Sequence, residues 1–132
     1  MFIDRLLNQD ATPVLEQMLN FTESRQKFLA DDVANASTPG YQQKDLSVEK
    51  FQQMLGERLE EAGKSAPGSV RFDDIQTEVE HPRHGILFHD GNNRSMEQLM
   101  TDNAKNALLH NMVVELLRQQ YQMMGMALKE QP

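Results

Sequence analysis

The chain has neither cysteine nor tryptophan in its 132 residues. Without cysteine there can be no disulfide and no thiolate metal site. A cysteine-free composition suits a protein that must leave the cell without forming stray disulfides. Without tryptophan, and with aromatics at only 6%, the chain has room for one modest domain but little material for a large self-sufficient core. Burial is then to be completed by a partner. Basic residues are also scarce: the formal net charge is −7 and the pI near 5.0. Nucleic-acid binding needs a basic stripe to displace condensed counterions, and none is present; attraction to an anionic membrane surface is disfavoured for the same reason. No run approaches the roughly 20 apolar residues of a membrane span. The start, Met1-Phe2-Ile3-Asp4-Arg5-Leu6-Leu7, lacks the apolar stretch of a secretory signal, so any export is expected to proceed without a cleaved leader.

Helix formers dominate what remains. Thr12 as N-cap and Pro13 at the first helical position begin a helix over 12–36. Its apolar face is read from Val14, Leu15, Met18, Leu19, Phe21, Phe28, Leu29 and Val33. Thr38, standing before a proline, is pushed out of the α region, and Pro39-Gly40 is the central pair of a type II turn. The turn segment covers 37–46, with Tyr41 as an amphipathic anchor. A second helix over 47–62 is capped by Ser47 and stopped by Gly63, with Val48, Phe51, Met54 or Leu55, and Leu59 on its inner face. The stretch 63–94 is irregular, punctuated by Gly63, Pro67, Gly68, Pro82, Gly85 and Gly91. Within it, Ile75 to Val79 alternates with period two and can pair with Val70-Arg71-Phe72 as a small β element.

The final element, 95–130, is the strongest signal. Ser95 and Gln98 form a capping-box pattern, and no proline interrupts Met96 to Lys129. Such a helix is roughly 50 Å long, more than a domain of this size covers alone. Met96, Met100, Asn103, Ala107, His110, Val114, Leu117, Tyr121, Met124 and Leu128 alternate by four and three over four heptads, as in a coiled-coil seam. The fold class is therefore mostly α. Long N- and C-terminal helices pair as an antiparallel coiled coil, with a short second helix and an irregular, partly β middle, all in one unit over 1–132. The pairing interface is expected at Val14, Met18, Phe21, Leu29, Val33, Met96, Met100, Ala107, Val114, Leu117, Tyr121, Met124 and Leu128.

Ala34-Asn35-Ala36-Ser37-Thr38-Pro39-Gly40-Tyr41 resembles the A-N-x-x-T-P-G-Y signature of bacterial flagellar rod and hook proteins. Leu19-Asn20, Arg25-Gln26, Leu29-Ala30 and Val33 resemble the helix leading into that signature. Asp45-Leu46-Ser47 and Asp90-Gly91-Asn92 are similar to its later segments. The resemblance covers about 14–55 and 90–129. Two departures stand out: the family often has Asn where this chain has Asp32, and a Tyr-x-Ala-Asn motif of the last helix is absent, Tyr121 being followed by Gln122-Met123-Met124. The hook, distal-rod and other proximal-rod proteins usually carry that motif, so its absence, with the short length, favours the remaining proximal-rod type over those relatives. The resemblance implies a structural, non-enzymatic subunit that self-assembles into the motor axle, in the periplasm-spanning rod of the flagellar basal body. It implies export by the flagellar type III apparatus. It also implies assembly with itself, other rod proteins, the membrane ring and a small rod adaptor, and assigns the assembly motif to Ala34, Asn35, Thr38, Pro39, Gly40 and Tyr41.

Other residues invite sharper chemistry. His81, His84 and His89 lie near Glu80 and Asp90, and imidazole with carboxylate can hold zinc, but their spacing fits no standard helical pair. Solvated loop histidines are the preferred reading. Asn103 and His110 can set seam register or sense pH, or simply face another subunit or water. Six of the nine methionines sit in the last helix and read as interface filler, not copper ligands. Glu60-Glu61, Asp73-Asp74 and Glu78 with Glu80 read as solvated faces, since nothing places them in an apolar pocket. No catalytic triad or phosphate-cradling glycine loop is present, so neither cofactor, metal nor enzymatic activity is expected. Two competing classes remain: a helical adaptor or export chaperone, and a small metal-dependent enzyme built on the histidine loop.

Overall fold

The computed structural model describes residues 11–41, 43–64, 71, 87–90 and 95–130. Within them the order is α1 (Ala11–Ala34), β1 (Gln43–Leu46), α2 (Val48–Lys64), β2 (Leu87–Asp90) and α3 (Met96–Glu130). Helix α1 accommodates Pro13 in its first turn, where its missing N–H has no helical partner to lose. Ser47 caps α2, its Oγ accepting from the Lys50 N–H at 3.2 Å. Ser95 caps α3 in the same way, accepting from the Gln98 N–H at 3.2 Å. The reciprocal half of that capping box is not made: the Gln98 amide turns forward and donates to Asp102, one turn on along the helix surface. Gly63 does not stop α2, which runs on to Lys64.

Helices α1 and α3 run antiparallel. Glu16 meets Tyr121, Thr22 meets His110 and Gln26 meets Asn103; as residue numbers rise on one helix, they fall on the other. Helix α1 is apolar on two faces about a third of a turn apart. One face, through Phe21, builds the core cluster with Leu46, Phe51 and Leu55, and Val14, Met18, Phe28, Val48, Met54 and Ala62 pack around it. The Phe21 and Phe51 rings stack with centroids 4.2 Å apart. The other face lies along α3. Leu59, expected on the inner face of α2, is exposed.

The β element differs from the one read in the sequence. Strand β1 follows the turn and pairs antiparallel with β2, Gln43 opposite Asp90 and Leu46 opposite Leu87. The strand read at 75–79 and, Arg71 apart, its partner at 70–72 lie outside the described residues. Period-two alternation marks a strand with one solvated face. The run Gln43-Lys44-Asp45-Leu46 buries the last two, including a carboxylate, and so carries no such signal.

Removing the stacked ring tests the cluster. Phe21→Ala should destabilise the fold by about 3–5 kcal/mol through lost contacts and a residual cavity, read as a lower urea midpoint by circular dichroism. Leu108→Ala, at a position 69% exposed, should change it little.

Candidate assembly surface and its bend

Helix α1 ends where the motif begins. The Asn35 N–H donates to Asp31 O at 3.0 Å and the Thr38 N–H to Asn35 O at 2.9 Å; the Tyr41 N–H then closes on Thr38 O at 3.2 Å. Thr38 to Tyr41 is therefore a hydrogen-bonded turn with Pro39 and Gly40 at its centre. Gly40 has φ of +77°, the left-handed value a type II turn requires at that position. The Asn35 side chain braces the bend by donating to Asp31 O and accepting from the Thr38 hydroxyl. Ala34, Thr38, Pro39 and Gly40 are exposed, and Asn35 and Tyr41 half-buried.

What holds the bend to the body is a residue that sequence reasoning left without a role. Asp32 is fully buried. Its Oδ1 accepts the Lys44 N–H at 3.0 Å and the Tyr41 hydroxyl at 3.3 Å, so one carboxylate clamps both sides of the turn. Asp45, also buried, receives Arg25 in two parallel bonds of 2.9 Å from Nε and Nη2, a bidentate pair that ties β1 back to α1. A charge-assisted clamp on backbone N–H groups gives no apolar periodicity; of the adjacent Asp31 and Asp32, the first is exposed and the second buried, a difference that the residue type does not show.

The line of α3 that meets α1 overlaps the expected seam only in part: Asn103, His110 and Leu117 belong to both. Its buried residues are Leu99, Asn106, Val113 and Leu117; Leu99, Asn106 and Val113 stand in place of the expected Met100, Ala107 and Val114, each one residue earlier, which turns the centre of the inward face by about 50°. Leu117 is buried and Val114 and Met124 half-buried, but Met96, Met100, Ala107, Tyr121 and Leu128 are exposed. On α1, Leu29 is buried and Val33 half-buried, while Val14, Met18 and Phe21 serve the α2 cluster. Asn106, a polar residue, adds nothing to an apolar pattern, so the half of the line that it shares with Leu99 and Val113 carries little signal in the sequence.

The two helices meet at this level through a polar layer. The Asn106 amide donates to Thr22 O at 2.9 Å and to Gln26 Oε1 at 3.2 Å, and Gln26 donates to Asn103 at 2.8 Å. The Thr22 hydroxyl spends its proton on Leu19 O; it must therefore accept from His110, 3.1 Å away, which places a proton on Nδ1. Asn106 Oδ1 has no hydrogen-bond partner.

Beyond the seam, α3 shows a second apolar stripe. Leu108, Met112, Leu116, Met123 and Met126 are exposed, and at 3.6 residues per turn they fall on one outward face. Leu19, Val114, Leu117 and Tyr121 line an open apolar groove nearby. Among the described residues no group of His, Cys, Asp and Glu could hold a metal ion. His81 and His84 lie outside those residues, as does the His89 side chain.

Both tyrosines hydrogen-bond to acids. The Tyr121 hydroxyl is raised above the usual value near 10 chiefly by its bond to Glu16, then by burial; Tyr41 is raised chiefly by burial, then by the charge and hydrogen bond of Asp32. The protonated phenol is the bonded form, so its contribution is constant below pH 10 and is lost as pH rises through the raised value. In a Tyr41→Phe background, ultraviolet titration should show Tyr121 ionising above 10, and Glu16→Gln should bring it back toward 10. At Gly40, a Cβ would meet nothing within 4 Å, so the cost of a side chain there is backbone strain alone. Gly40→Val should cost roughly 1–2 kcal/mol in chemical denaturation, and Gly40→Asn less.

No family model and no solved structure matches the chain. Curated relatives do. It is 30% identical over 114 residues to the flagellar basal body rod protein FlgB of Salmonella typhimurium, covering 80% of this chain and 83% of the relative. To FlgB of Yersinia enterocolitica it is 31% identical, covering 70% and 74%, and to FlgB of Bacillus subtilis 29% identical, covering 76% and 79%. The terminal helix pair, the proline–glycine bend and identity extending over most of both chains agree: this chain belongs to the FlgB family of flagellar basal body rod proteins.

Proposed function

We propose that this chain is a structural, non-enzymatic subunit of the proximal rod, and that it builds the motor axle by packing its terminal helices against neighbouring rod subunits. The observation that carries this reading is the second stripe of α3, Leu108, Met112, Leu116, Met123 and Met126, which the chain's own fold leaves exposed. Contiguous exposed apolar surface on a small protein marks an interaction site. Covering a Leu or Met side chain is worth roughly 1.5–3 kcal/mol, so five of them offer on the order of 10 kcal/mol before the entropy of association is subtracted.

The mechanism is assembly coupled to burial. The seam joins α1 to α3 within the subunit, the outward stripe meets the next subunit, and the bend at Thr38 to Tyr41 sets the angle at which β1 and α2 leave the paired helices. The assembly motif is thus Ala34, Asn35, Thr38, Pro39, Gly40 and Tyr41. Its partners are further copies, other rod proteins, the membrane ring and its small adaptor. Delivery is by the type III export apparatus. Among the described residues no helix is long and apolar enough to cross a membrane.

Deleting the gene should abolish swimming and remove the rod from basal bodies in electron micrographs; intact rods would refute the reading. Leu108→Gln with Leu116→Gln should leave the helical spectrum of the purified protein unchanged while motility and rod incorporation are lost. Gly40→Val should also block incorporation, and normal swimming of that variant would separate the bend from assembly.

A further inference from the structure

The α1–α3 interface interrupts its apolar line with Thr22 and Gln26 on one helix and Asn103, Asn106 and His110 on the other, all joined by hydrogen bonds. Asn106 is 2% exposed and donates twice, yet its Oδ1 is left without a partner. The assignment cannot be reversed, since flipping the amide would set its oxygen against two acceptors. A buried layer with an orphaned acceptor is a poor device for stability. It is a good device for discrimination.

The alternatives it excludes can be named. Seam positions on α3 recur every seven residues, Leu99, Asn106 and Val113, so sliding α3 by one heptad would again bring seam residues to face α1. Moved one way, Asn106 would take the place of Leu99 and face the stretch around Leu29 and Val33. Moved the other way, it would take the place of Val113 and face Leu15 to Leu19. In both, the Asn106 amide loses the Gln26 side chain and the Thr22 carbonyl. His110 can stand in for Asn103 opposite Gln26 in the first, but Val113 or Leu99 then faces the Gln26 oxygen that Asn106 now donates to. Only the observed alignment gives the Asn106 amide both of its acceptors, the Thr22 carbonyl and the Gln26 side-chain oxygen.

We propose that this polar layer is a register lock: it selects one axial alignment of α1 against α3 and rejects alignments displaced by a heptad, at some cost in stability. A single polar seam residue has this effect in coiled coils. In a chain that leaves further apolar surface exposed on the same helix, a purely apolar seam would have nothing to discriminate between its own partner helix and a slipped one.

The absence of cysteine makes the test direct. Lys27→Cys with Arg118→Cys, both at exposed positions, provides two thiols for nitroxide labels, and pulsed electron–electron resonance reads their separation in labelled protein diluted with unlabelled. The parent should give one narrow distance. Adding Asn106→Leu and Gln26→Leu should raise Tm and produce a second population displaced by the axial step of one heptad, roughly 10 Å. A single unshifted distance in that variant would overturn the proposal, and so would loss of helicity or a lower Tm, because the layer would then be a source of stability. As a second variant, Asn106→Val with Val113→Asn moves the polar residue by seven. The main distance should shift by one heptad step; an unmoved distance would overturn the lock.

Discussion

The antiparallel pairing of α1 with α3 is the constraint on which the other parts depend. It joins segments far apart in sequence, Thr22 with His110 at 88 residues and Gln26 with Asn103 at 77, and so closes the chain on itself. Because α1 is apolar on two faces, it stands between two partners, α3 on one side and the α2 cluster on the other. Neither helix flanking it has a core of its own. With α1 withdrawn, the Phe51 ring loses its stacking partner and α3 loses the helix that, among the described residues, lies along its seam.

The bend is subordinate to that helix and acts through electrostatics more than apolar burial. Gly40 supplies the positive φ, but a turn alone fixes only its own four residues. Asp32 and the Arg25–Asp45 pair carry the geometry outward, since they connect α1 to backbone on the far side of the turn and to β1. Buried carboxylates with directional partners have a single satisfied arrangement. That is a suitable property where the exit angle of a chain must be reproduced from subunit to subunit.

The division of α3 into two stripes follows from the same economy of apolar residues. A small domain with no tryptophan cannot cover a helix of 35 residues on every side. One face goes inward, sparsely, through Leu99, Val113 and Leu117 around a polar layer; another, richer in Met and Leu, stays outside. Methionine suits the outer role because its unbranched, polarizable side chain adapts to surfaces that are not identical.

The sequence alone was enough for the helical class, the positions of the three helices to within a few residues, the caps at Ser47 and Ser95, and the type II turn at Pro39-Gly40. These are decided by local sterics, capping and periodicity, each legible within a window of a few residues. Tertiary structure decided which line of α3 faces inward, that Val14, Met18 and Phe21 join the cluster with α2, and that β1 pairs with Leu87–Asp90. It also gave Asp32 and Asn106 their roles. The physical reason is common to all of these: on a helix apolar on more than one side, composition cannot choose the face, and a buried polar residue shows its value only beside the partner that satisfies it.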